Sequence, residues 1–179
     1  MSETLLDAER DHLASLLEAV QRCVYFLDAA ARKLDWPLAG ATLAARKKDT
    51  ALFETLAAIN ERFAKLQDTV GAAMRHALPL LGESADSFLK VLVIYEKAGV
   101  VASVADWQLC RTARNLAAHE YEIRHDEIAA HFNALHGQLP FLYATARNLV
   151  ALCAGALAVV PASADYAAEF DVVTATGIA

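Results

Sequence analysis

Apolar residues recur every three or four positions along most of this chain, and no other feature constrains its fold as strongly. Leu13, Leu16, Leu17, Val20, Val24, Leu27, Ala31 and Leu34 form one stripe, with Glu18, Gln21, Arg22, Asp28 and Arg32 mainly off it. A period near 3.6 lays such a stripe along one side of an amphipathic α-helix. Asp35-Trp36-Pro37 ends this helix, because the residue before a proline is pushed out of helical geometry, and Gly40 adds a second break. The run "ARKKD", residues 45–49, reads as a solvated connection.

The same period returns from Thr50 to Leu81, with Phe53, Leu56, Ile59, Phe63, Leu66, Val70, Met74 and Leu78 in line and Gly82 as a cap. Ser84 is placed to cap a third helix carrying Phe88, Leu89, Leu92, Val93 and Tyr95, which Gly99 closes; its apolar surround predicts a central position. Ser103 and Asp106 have the spacing of a capping box and open a fourth helix. A fifth starts near Asp126 and continues through Ile128, Phe132, Leu135, Leu139, Leu142, Ala146, Leu149 and Cys153, kinked at Pro140.

Five helical patterns on short connections predict an all-α chain, an antiparallel four- or five-helix bundle. With 7 glycines and 4 prolines in 179 residues, neither disorder nor a turn-rich β fold is favoured. One domain over residues 1–160 follows from the length, with residues 161–179 read as an acidic tail, partly ordered at most.

A net charge of -6 gives no whole-molecule attraction to nucleic acid, so any such contact requires a local basic patch. Cys23, Cys110 and Cys153 have neither disulfide-framework nor zinc-ligand spacing, so they read as reduced core thiols and no metal or cofactor is expected. The acidic start "MSETLLDAERDHL" lacks the basic and apolar regions of a signal peptide, and the apolar run 149–160 falls short of the roughly 20 residues that span a bilayer. A cytoplasmic location away from membranes is the expectation.

Chemistry concentrates in "RNLAAHEY", residues 114–121. A histidine titrating near neutrality moves protons, and a guanidinium holds two phosphate oxygens. Arg114 and His119 together have what is needed to drive the RNA 2'-hydroxyl against its adjacent phosphate without a metal. Asn115 is placed to orient the imidazole or bind phosphate, and Tyr121 to stack on a base. Arg114 and His119 are five positions apart, about 140 degrees around a regular helix, so they share a face only if the helix loosens before His119 or a second subunit intervenes. An arginine followed by a histidine after four to six residues also occurs at Arg124 to His131, and on these grounds a solvated helix end is the favoured explanation of the cluster.

Arg114-Asn115-x-x-x-His119-x-Tyr121, at a helix end in an all-helical chain, resembles the signature of the HEPN superfamily in its HepT-like form. The flanks "INERFAKLQD", "FLKVLVIYEKAGVV" and "EIRHDEIAAHFNAL" are similar in order and character, so the resemblance spans roughly residues 50–150 and leaves the first helix, residues 1–34, outside it. What the resemblance implies is a homodimer whose two motifs face each other across a cleft, pairing groups from both chains. It implies a metal-independent endoribonuclease toxin neutralised by a minimal nucleotidyltransferase antitoxin. By position, Arg114 and His119 would be catalytic, with Asn115, Arg111, Glu120 and Tyr121 supporting them or binding substrate and Tyr121 a modification site. Glu120 and Glu122 work against phosphate binding, and Arg111, Arg124 and His125 offset them. The alternative within the same resemblance is a non-catalytic substrate-binding or regulatory subunit of a nucleotidyltransferase.

Overall fold

A computed structural model describes residues 3–116 and 124–175, and among these every regular element is a helix. The long ones are α1 (Glu3–Ala31), α3 (Thr50–Leu80) and α6 (His125–Leu157), joined by α2 (Gly40–Ala45), α4 (Phe88–Lys97) and α5 (Val104–Leu116), with α7 (Ala167–Ala175) following α6.

The stripes become the core. Leu13, Leu17, Val20, Val24 and Leu27 of α1 are fully buried, as are Phe63, Leu66, Val70 and Met74 of α3 and Phe132, Leu135, Leu142 and Leu149 of α6. Polar contacts fix the directions. His76, late in α3, lies 2.9 Å from the Glu9 carbonyl early in α1, while Arg62 sits over Phe26, so α1 and α3 are antiparallel. Arg10 donates to the Leu157 carbonyl and Asp28 shares a hollow with Tyr143, so α1 and α6 are antiparallel too. It follows that α3 and α6 run the same way, a departure from a simple up-and-down order.

Four expectations need correction. The apolar third pattern, α4, is not central: among the described residues its backbone packs on α3 and α5, and it buries Val91, Leu92 and Tyr95 while leaving Leu89 55% exposed. Ten residues are too few to bury all their sides. The central helix is α6, against which α1, α2, α3, α5 and α7 all pack. Its 33 residues run unbroken through Pro140, and by length and composition it is apolar enough to cross a bilayer; ten of its residues are buried among the other helices.

Ser87, not Ser84, caps α4, its hydroxyl accepting from the Lys90 amide at 3.3 Å. The third correction concerns the C-terminal segment. Beyond residue 160 the chain forms α7, which buries Phe170, Val173 and Thr174 against α1 and α6. Phe170 and Val173, three apart, make an apolar face too short to register as a period.

The fourth is Gly40, which starts α2 instead of breaking a helix. A Cβ there would stand 2.7 Å from the Asp126 Cα and 1.8 Å from its carboxylate oxygen. Glycine therefore lets α2 dock on the start of α6, a junction also tied by Asn133, which accepts from the Leu38 amide at 2.7 Å and donates to its carbonyl at 2.9 Å. Gly40→Ala is expected to lower stability by roughly 1–3 kcal/mol, the usual range for overpacking that backbone must absorb. Denaturant unfolding checks it, and an unchanged midpoint would show that α2 is free to lift away.

The expected capping box of α5 is present in altered form. Ser103 Oγ accepts from the Asp106 amide at 2.9 Å, but it donates its own proton to the Asp106 carboxylate at 2.7 Å. Glu96 of α4 accepts from the Val104 amide at 2.9 Å, satisfying another of the free N–H groups that every helix start presents. These bonds set the axis of α5 against α4 and thereby aim the side chains of its exposed face.

Candidate functional site

Positions 107, 111 and 114 of α5 fall within an arc of about 60 degrees at roughly 100 degrees per residue. Across from them, positions 68, 71 and 75 share a face of α3 by the same arithmetic. Between the two faces lies a cleft of about 400 Å³, lined by Gln67, Asp68, Gly71, Arg75, Phe88, Trp107, Arg111 and Arg114. It is built on the side of α3 opposite its main apolar stripe.

Trp107 forms the floor, 3% exposed, and its carbonyl accepts from Gln67 Nε2 at 3.4 Å. The Phe88 ring meets the Trp107 ring edge to face at 5.8 Å. Gly71 makes room for both: a Cβ on it would lie 3.3 Å from Phe88 Cζ and 3.7 Å from Trp107 Cζ2. An aromatic floor this tightly packed holds the walls of the cleft at a fixed spacing.

Three guanidiniums and one carboxylate supply the charge. Arg114 Nη1 donates to Asp68 Oδ1 at 2.5 Å, across the cleft from α5 to α3. Arg75 lies over the Phe88 ring, its Cζ 4.6 Å from the centroid. Among the described residues neither Arg75 nor Arg111 is ion-paired. The cleft is thus locally positive in a chain of net charge -6, the kind of local field that overall charge conceals. Guanidiniums converging on a partly desolvated hollow bind phosphate or carboxylate in bidentate fashion.

Of the residues singled out from sequence, Arg114 and Arg111 are brought together here. Asn115 belongs to α5, and His119, Glu120 and Tyr121 lie outside the described residues. Arg124 and His125 open α6, where Arg124 faces Glu127 at 3.5 Å, so this arginine is already paired. His131 is not in the cleft: its Nε2 lies 3.4 Å from Asn60 Oδ1 on α3. Asp68, Arg75 and Gln67 belong to no motif in the sequence, and Phe88 reads there only as part of an apolar helical pattern. Asp68, Gly71 and Arg75 keep helical spacing on the polar side of α3, but only the packing of α5 on that side identifies them.

Other reactive groups are structural. Burial pushes the Cys110 thiol up to about 12 and the Cys153 thiol up to about 11, so neither is a nucleophile near neutrality. Burial holds His131 and His136 below their ordinary 6.5, His136 being stacked flat on Trp36 at 4.1 Å. The unfolded chain therefore binds protons at these two sites before the folded one does. Stability is expected to be complete above about 6.5 and to fall as the pH drops below it. Thermal melts between pH 7.5 and 5 check this, and His131→Gln with His136→Gln should flatten the slope.

Comparison of the chain with protein-family models and with curated proteins, and of its fold with solved structures, returns no match.

Proposed function

We propose that the protein is a metal-independent endoribonuclease of HEPN type, HepT-like, acting as the toxin of a toxin–antitoxin pair. One observation carries the reading beyond the motif itself: Arg114, the first residue of "RNLAAHEY", stands in an arginine-walled cleft with Arg111 and Arg75. Arg114 and Arg111 hold the scissile phosphate and neutralise the charge that builds on it. His119, acting as general base, takes the 2'-hydroxyl proton, and the oxygen attacks the adjacent phosphorus. The 5'-oxygen then leaves with a proton returned by an imidazolium, giving a cyclic phosphate and a free 5'-hydroxyl.

Arg114 and His119 are five positions apart, about 140 degrees around a helix were it to continue regularly, and in this reading the site is completed in a homodimer, each chain supplying one group to the other. A minimal nucleotidyltransferase is the antitoxin, and Tyr121 is the residue it modifies. The Asp68 carboxylate occupies Arg114 in the absence of substrate, and incoming phosphate replaces it.

Incubating purified protein with a labelled RNA in EDTA tests this, beside Arg114→Ala and His119→Ala. Cleavage by the wild type that both substitutions abolish supports the nuclease. Absence of cleavage by folded, dimeric, unmodified protein overturns it and leaves a nucleotidyltransferase-docking subunit as the reading of the motif.

A further inference from the structure

Arg75 is held in an unusual way for a surface arginine. Its guanidinium lies over Phe88, and Phe88 is itself fixed by Trp107 at its edge and by the bare backbone of Gly71 beneath. Its Cζ stands 4.6 Å from the ring centroid, while Arg75 as a whole is exposed on the wall of the cleft. A guanidinium plane braced by an aromatic ring is a stacking surface for a second flat group, and an unpaired nucleobase is such a group.

Charge decides on which side of Phe88 a ligand lies. Arg75 and Phe88 also border a second hollow, whose other walls include Glu83 and Asp86. Asp86 is ion-paired with Lys90 at 2.6 Å, but Glu83 repels a phosphate chain there, whereas the opposite side holds Arg111 and Arg114.

We propose that Arg75, braced on Phe88, is a nucleobase-stacking subsite adjoining the phosphate subsite of Arg111 and Arg114, so that the cleft selects an unpaired base beside the bound phosphate. The inference rests on the nucleic-acid reading of the cleft. Bases within a duplex are stacked on one another and cannot reach Arg75, so single strands are favoured by geometry. Stacking reads no base edge, so sequence preference at this position is weak.

Fluorescence anisotropy at fixed salt tests the proposal with two labelled 2'-deoxy strands of equal length, an oligoadenylate and a strand of abasic residues. Neither has the 2'-hydroxyl that cleavage needs. The wild type is expected to favour oligoadenylate by roughly 5- to 150-fold, the worth of one stacked base. Arg75→Lys keeps the charge and loses the plane, so the preference should collapse while binding of the abasic strand persists. A wild type without preference, or a preference that survives Arg75→Lys, overturns the stacking subsite. Arg111→Ala and Arg114→Ala distinguish the two levels of the argument. If they weaken both strands alike while Arg75→Lys changes nothing, the stacking subsite falls and the phosphate cleft stands; if none of the three weakens either strand, both fall.

Discussion

Arg114→Ala is expected to reduce RNA cleavage by roughly 10²- to 10³-fold, the range seen when one preorganised donor to a developing oxyanion is removed. His119→Ala should lose about 10²- to 10⁴-fold, as loss of a general acid–base group does. Stability should hardly move. The Arg114–Asp68 pair is partly exposed, with side-chain exposures of 32% and 59%, and such pairs are worth about 0–1 kcal/mol. Activity and melting temperature are therefore separable readouts. Asp68→Asn sharpens the test: it removes the carboxylate that competes with phosphate for Arg114, so anion affinity should rise. Equal loss of activity and of melting temperature in Arg114→Ala would instead mean that the arginine clamps α5 to α3 and has no direct part in cleavage.

Phe63→Ala is expected to have the largest effect on folding. Phe63 is 0% exposed at the middle of α3, in a core shared with α1 and α6. Removing a ring from such a site destabilises by about 3–5 kcal/mol, transfer and cavity terms together. Against a total stability of roughly 5–15 kcal/mol this is a large fraction. At about 2–4 °C per kcal/mol for a chain of this size, the melting temperature should fall by roughly 6–20 °C. A loss below about 1 kcal/mol would mean that the three long helices close around the gap, contrary to the close packing of their stripes.

Helix content was legible because burial writes itself into sequence as a period. Every member of the α3 stripe is buried except Phe53, and every member of the α6 stripe except Ile128, each of which still packs against the core. Ser103 and Asp106 were legible as a cap because capping is local chemistry within three residues. Length limited the rest. The six residues of α2 and the nine of α7 complete too few turns to show a period, and their burial comes from partners far away in the chain. Centrality was misread for the same reason: an apolar run states that a helix can be buried, not how many neighbours will cover it.

For the cleft the division is similar. The sequence alone determined helical structure with three long amphipathic helices, buried cysteines outside any disulfide framework, and one concentration of polar and titratable side chains beginning at Arg114. Tertiary structure decided that Arg114 faces Asp68, that Arg75 and Phe88 join the wall, and that α4 and α5 are held to each other by Glu96. These pairings lie 46 residues apart for Asp68 and Arg114 and follow from how whole stripes pack, so no local spacing encodes them. Polar residues on the outer face of a helix carry no period that distinguishes a binding wall from a solvated one; the neighbour across the gap makes that distinction.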